Sequence, residues 1–110
     1  MHALWVNHGS QVGEQALKFF GELYDIEREV RELKPDERRR IRQQRSAKVA
    51  QALQQWLQQQ RALVPEGSAT AKAIDYSLRR WDALTRFIND GNLPADNNWV
   101  ENQIRPIAMA

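Results

Sequence analysis

Gln11-Val12-Gly13-Glu14-Gln15-Ala16-Leu17-Lys18-Phe19-Phe20-Gly21-Glu22-Leu23-Tyr24-Asp25-Ile26-Glu27-Arg28-Glu29-Val30-Arg31-Glu32-Leu33 is the stretch on which the fold turns. Val12, Ala16, Phe19, Leu23, Ile26, Val30 and Leu33 step alternately by four and by three. That spacing keeps apolar side chains on one face of an α-helix. Phe20 and Tyr24 widen the stripe, and Glu14 with Lys18 and Glu27 with Arg31 form i,i+4 pairs expected on the exposed side. Such a seam can zip to a second copy or pack on later helices of its own chain. The apolar helices that follow favour packing within the chain. Upstream, Met1 to Ser10 reads as a short lead that Gly9 and Ser10 punctuate, with Ser10 capping the helix. His2 and His8 have no partner at metal-ligand spacing and are expected at the surface.

Downstream, Lys34-Pro35-Asp36-Glu37 opens a second helix: Pro35 suits its first turn, and the two acids suit the positive end of its dipole. It is expected to reach Leu63. Its apolar side is sparse at first, with Ile41, then firm through Val49, Ala50, Leu53, Trp56, Leu57 and Leu63. Arg38, Arg39, Arg40, Arg42, Arg45 and Lys48 crowd its first half, as a solvated face or as contacts to nucleic-acid phosphates. No aromatic residue is interleaved among them for base stacking. The glutamines of the second half alternate with the apolar stripe and form a solvated face.

Val64-Pro65-Glu66-Gly67-Ser68 is a loop, and Ser68 or Thr70 caps a third helix expected to run to about Asp90. Its stripe is Ile74, Leu78, Trp81, Leu84 and Ile88, with Phe87 alongside, and Gly91 sits where a helix-ending glycine belongs. Asp75 and Asp82 fall on the polar side. Asn89 to Pro94 then turns the chain into its tail.

A chain of 110 residues holds one small domain at most. Four Trp, three Phe and two Tyr argue against disorder. The absence of cysteine excludes disulfides and thiolate chemistry and suits a reducing cytoplasm. No apolar run approaches a membrane span, no secretory leader is visible, and no glycine-rich phosphate loop or Ser/His/Asp constellation appears. A net charge of +2 says little about partners, so the local arginine run matters more.

The tail, Leu93 to Ala108, combines polar residues with Trp99, Val100, Ile104 and Ile107. Asp96, Asn97 and Asn98 are helix-starting residue types, and a short helix from Asn98 would place Val100 and Ile104 on one face until Pro106 limits it. From spacing alone Glu101 fits the acidic third position of a capping box. The string Asp96-Asn97-Asn98-x-x-Glu101-Asn102-x-Ile104-Arg105-Pro106-x-Ala108 resembles the glutamate motif of DDE transposases of the insertion-sequence 66 family. Gln15-Ala16-Leu17, Leu23-Tyr24-Asp25-Ile26-Glu27, Arg42-Gln43-Gln44-Arg45-Ser46 and Ala73-Ile74-Asp75-Tyr76 resemble the same family, in the same order.

That resemblance implies a piece of a ribonuclease-H-like catalytic domain. Residues 11–91 correspond to a helical insertion and 92–110 to the glutamate-motif segment. It implies that Glu101 is the third catalytic carboxylate and a ligand of Mg²⁺ or Mn²⁺, with Asn97, Asn98, Asn102 and Arg105 supporting the motif. In the intact family enzyme two such metals serve phosphodiester cleavage and strand transfer at transposon ends. The two partner aspartates would precede Met1, and a glycine with a basic, aromatic stretch would follow Met109. The expectation is therefore a truncated transposase that binds no metal tightly and has no activity alone. The expected architecture is all-α, with three long antiparallel helices and a short C-terminal one. Two rivals stand beside transposition. One is a non-catalytic helical module that binds DNA or protein, with Arg38, Arg39, Arg40, Arg42 and Arg45 touching DNA. The other is a helical dimer that self-associates through the Val12–Leu33 seam.

Overall fold

The computed structural model describes the backbone of residues 2–94 and the side chains of residues 11–94. Within them the chain is all-helical, with no strand. Helix α1 spans His2–Val30, α2 spans Pro35–Ile41, α3 spans Ala47–Leu63, α4 spans Ala69–Arg79 and α5 spans Trp81–Leu84. A π turn, Arg42–Ser46, joins α2 to α3, and a 3₁₀ turn, Arg86–Asn89, follows α5.

Helix α1 starts well before the expected cap at Ser10. Glycine and serine inside a helix cost about 1 kcal/mol or less each, too little to end one that is anchored downstream. The side chains of His2 and His8 lie outside the described residues. Along the seam Val12, Ala16, Phe20, Leu23, Ile26 and Val30 are buried, with Phe19 half-buried. Val12, Ala16, Phe20 and Leu23 share one core with Ala50, Leu53 and Leu57 of α3 and with Ala71, Ala73 and Ile74 of α4. The heptad seam is thus satisfied within the chain, and each large aliphatic group sealed there contributes roughly 1.5–3 kcal/mol.

Helix directions follow from the contacts. Phe19 meets Trp56, ring centroids 5.6 Å apart, while Glu29, further along α1, pairs with Arg45 before α3 begins. Hence α1 and α3 are antiparallel. Arg61 near the end of α3 bonds Asp75 in α4, and Gln43 before α3 bonds Asn89 further along the chain, so the third helical unit runs back again.

Three local expectations are corrected. Leu63 is 68% exposed, and Val64 takes the inward place instead, because the chain leaves the helix there. The third helix breaks at Arg80 and again at Thr85, whose φ and ψ are −99° and 5°. Thr85 Oγ1 donates to the Trp81 carbonyl at 2.9 Å, a local bond that competes with the helical ladder and bends it. Trp81, Phe87 and Ile88 still reach the core through this broken segment. Gly91 is not in the left-handed region. Instead its backbone lies flush against Pro35, and a Cβ there would fall 1.8 Å from the Pro35 carbonyl oxygen.

Ser68 caps α4, its Oγ accepting from the Ala71 N–H at 3.1 Å. Gly67, at φ 78°, makes the preceding turn. Gln51, Gln55, Gln58 and Gln59 are exposed, the solvated face their spacing implies. The short helix expected from Asn98 lies outside the described residues.

Candidate functional site

The arginine run does not act as one patch. Pro35, Arg38 and Arg42 lie at i, i+3 and i+7 of α2 and the π turn, hence on one face. That face meets the segment Phe87–Leu93. Arg39 and Arg40 point elsewhere and are exposed.

Arg42 is the largest fully buried side chain, 1% exposed. Its Nε donates to Glu27 Oε2 at 2.9 Å and its Nη2 to Glu27 Oε1 at 2.6 Å, a bidentate pair with a carboxylate that is 15% exposed. Its Nη1 faces the carbonyl oxygens of Phe87, Asp90 and Leu93 at 2.9, 3.0 and 2.8 Å. The guanidinium also lies over the Phe87 ring, 5.1 Å from its centroid. All three nitrogens are thereby engaged, which is what a buried cation requires.

Arg38 closes the neighbouring joint. Its Nε and Nη2 donate to the carbonyls of Val30, Arg31 and Leu33, which satisfies the end of α1 with a cation at the negative end of the helix. Its Nη1 donates to the Gly91 carbonyl at 2.9 Å. Four carbonyls between Phe87 and Leu93 are therefore held by two arginines. Within that segment the Asn92 N–H donates to Asp90 Oδ1 at 2.9 Å, an Asx turn.

This joint borders an open cleft of about 410 Å³, lined by Tyr24, Glu27, Arg28 and Arg31 of α1 with Arg38, Arg42 and Pro94. The cleft thus lies where the chain leaves for the motif segment. Arg28 is exposed and paired with Asp25, and Arg45 is 51% exposed and paired with Glu29. Elsewhere Arg61 links Asp75 and Glu66 at 2.8 and 2.9 Å. The Asp75 hydrogen bond, then that of Glu66, raises the Arg61 guanidinium above its ordinary range, so it stays charged at any working pH.

Of the candidates read from sequence, Arg38 and Arg42 belong to the internal joint, whereas Arg39, Arg40 and Arg45 face solvent. Glu101, Asn97, Asn98, Asn102 and Arg105 lie outside the described residues. Among the described residues no three His, Cys, Asp or Glu side chains gather as a metal site. No helix among them is long and apolar enough to cross a membrane. Sequence spacing pairs Glu27 with Arg31 and misses its bond to Arg42. A signal for that bond exists: extended backwards, the buried stripe Leu57, Leu53, Ala50 lands at helical spacing on Ser46, Arg42 and Arg38.

A fold of packed helices with an arginine joint defines a class only loosely; sequence similarity narrows it. A family model described as Transposase IS66 family matches residues 1–110, and the chain belongs to that family. It is 33% identical over 100 residues to Uncharacterized protein y4hP of Sinorhizobium fredii, covering 91% of this chain and 18% of that protein. It is 36% identical over 101 residues to Uncharacterized protein y4jD of the same organism, covering 92% of this chain and 20% of that protein. The chain thus spans about a fifth of the length of the curated relatives it matches. No solved structure matches it.

Proposed function

We propose that this chain is the helical insertion and glutamate-motif segment of a DDE transposase, serving DNA transposition within a ribonuclease-H-like catalytic domain. The observation that carries the reading is family membership across the whole chain, together with the motif Asp96-Asn97-Asn98-x-x-Glu101-Asn102. In this reading residues 11–91 are the insertion and 92–110 carry the motif. Glu101 is the third carboxylate, Asn97, Asn98, Asn102 and Arg105 support it, and transposon-end DNA is the partner.

Mg²⁺ or Mn²⁺ in such a site polarises phosphodiester oxygens and activates the attacking hydroxyl. A two-metal site draws on several oxygen ligands, and the described residues hold no such group. The exposed arginines Arg39, Arg40 and Arg45 supply sequence-independent attraction to DNA phosphates.

The test is the reading frame on either side of this segment. Upstream codons encoding strands with two aspartates, whether in frame or across a frameshift, support the assignment. Flanks that are unrelated and encode no such strands count against it.

A further inference from the structure

We infer that Arg42 is a positioning residue for the motif segment: its guanidinium fixes the backbone at Leu93 and so sets where the chain departs toward Glu101. The purpose of this joint rests on the proposed role of Glu101, but its geometry does not.

The guanidinium divides its donors between two parts of the chain. One edge is spent on Glu27, whose position is set by α1. The remaining nitrogen spans three carbonyls of two successive turns, Phe87–Asp90 and Asp90–Leu93, and makes its shortest contact, 2.8 Å, with the last of them at Leu93. Leu93 has no apolar anchor of comparable strength, for it is 37% exposed. Its location therefore comes from its backbone. Arg38 adds the Gly91 carbonyl, and the contact of Gly91 with Pro35 leaves no room for the turn to move inward.

The choice of residue points the same way. A buried ion pair gives little stability beyond what apolar side chains of equal volume give, and the other buried stripe positions of α3 are Ala50, Leu53 and Leu57. An arginine at that position does what no apolar group can: it ties α1, the π turn and the exit turn to one planar fork. The π turn lies across this point, with the Ala47 N–H bonded to the Arg42 carbonyl. Arg42 and Ser46 are both buried, and the extra residue of the wide turn offsets the drift of successive four-residue steps around an ordinary helix.

The chain has no cysteine, so pairs of spin labels can be placed without background. One pair, on cysteines introduced at the exposed Gln58 and Asn92, reads the exit turn against the bundle. A second pair, at Glu14 and Gln58, reads the bundle alone. In the otherwise unsubstituted chain the first pair is expected to give one defined distance by double electron–electron resonance. Arg42→Met is expected to shift or broaden that distance while the second pair stays unchanged. If Arg42→Met does not fold, Arg42→Lys and Gly91→Ala provide the same comparison from each side of the joint. An unchanged first distance in a folded variant overturns the inference. So does a change in both pairs together, which is what a merely structural arginine gives. Glu101→Gln leaves both distances in place, so a failure of the catalytic reading and a failure of this one are told apart.

Discussion

Arg42 and Glu27 form a buried, two-pronged ion pair, at 2.6 and 2.9 Å, that joins the first helix to the π turn. The pair stands where a helical core ordinarily places a leucine. Removing one member strands the other in a site of low polarity, which costs about 3–5 kcal/mol. Arg42→Met and Glu27→Met should each lower the unfolding free energy by that order in denaturant titrations. The double variant should lose less than the sum, because no charge is then left alone.

Gly91→Ala should destabilise by about 1–3 kcal/mol, since its methyl group meets the Pro35 carbonyl and the turn must yield. Gly67→Ala should cost about 1 kcal/mol for a different reason: there is open space around it, but its φ is 78°. Thermal melts of the two variants separate crowding from backbone strain if the exit turn is labelled, because only Gly91→Ala should disturb it.

Ser46 is wholly buried, and its hydroxyl has no hydrogen-bond partner among the described residues. An unsatisfied buried hydroxyl costs about 1–3 kcal/mol. Ser46→Ala should therefore leave stability unchanged or raise it, measured as a shift of the denaturation midpoint at constant slope. A clear loss would mean that the hydroxyl is satisfied by something beyond these residues.

Exposed and buried arginines should separate cleanly in one experiment. Arg39→Ala with Arg40→Ala should change stability by only about 0.5 kcal/mol, as surface substitutions do. If these side chains touch phosphate, the same change should weaken duplex binding. The salt slope should then fall by about 1 unit for each phosphate no longer neutralised. Arg38→Ala should instead loosen the end of α1, because its guanidinium is occupied by the carbonyls of Val30, Arg31, Leu33 and Gly91.

The alternation of four and three from Val12 to Val30 is enough to place the body of α1, since apolar spacing responds directly to burial, but not its start at His2. The Val64–Ser68 loop and the Ser68 cap are legible for the same local reason. The break at Thr85 is not, because it depends on a side-chain bond to Trp81 that competes with an otherwise regular stripe. Arg38 and Arg42 look like members of a surface run, because charge implies water unless a partner is known. Helical spacing carries both arginines onto the buried stripe, but it does not name their partners, which are Glu27, the carbonyls that end α1 and the carbonyls of Phe87–Leu93. Gly91 looks like a helix terminator, and only the approach of Pro35 shows why a side chain is excluded there.

If this segment delivers a catalytic glutamate to an IS66-family transposase, strand transfer must depend on Glu101. The most direct measurement is strand transfer by the uninterrupted transposase polypeptide containing residues 1–110, with Glu101 and with Glu101→Gln, in Mg²⁺ or Mn²⁺. The substitution is expected to abolish strand transfer while binding to transposon-end duplex is retained. Full strand transfer by the Glu101→Gln protein would contradict the assignment.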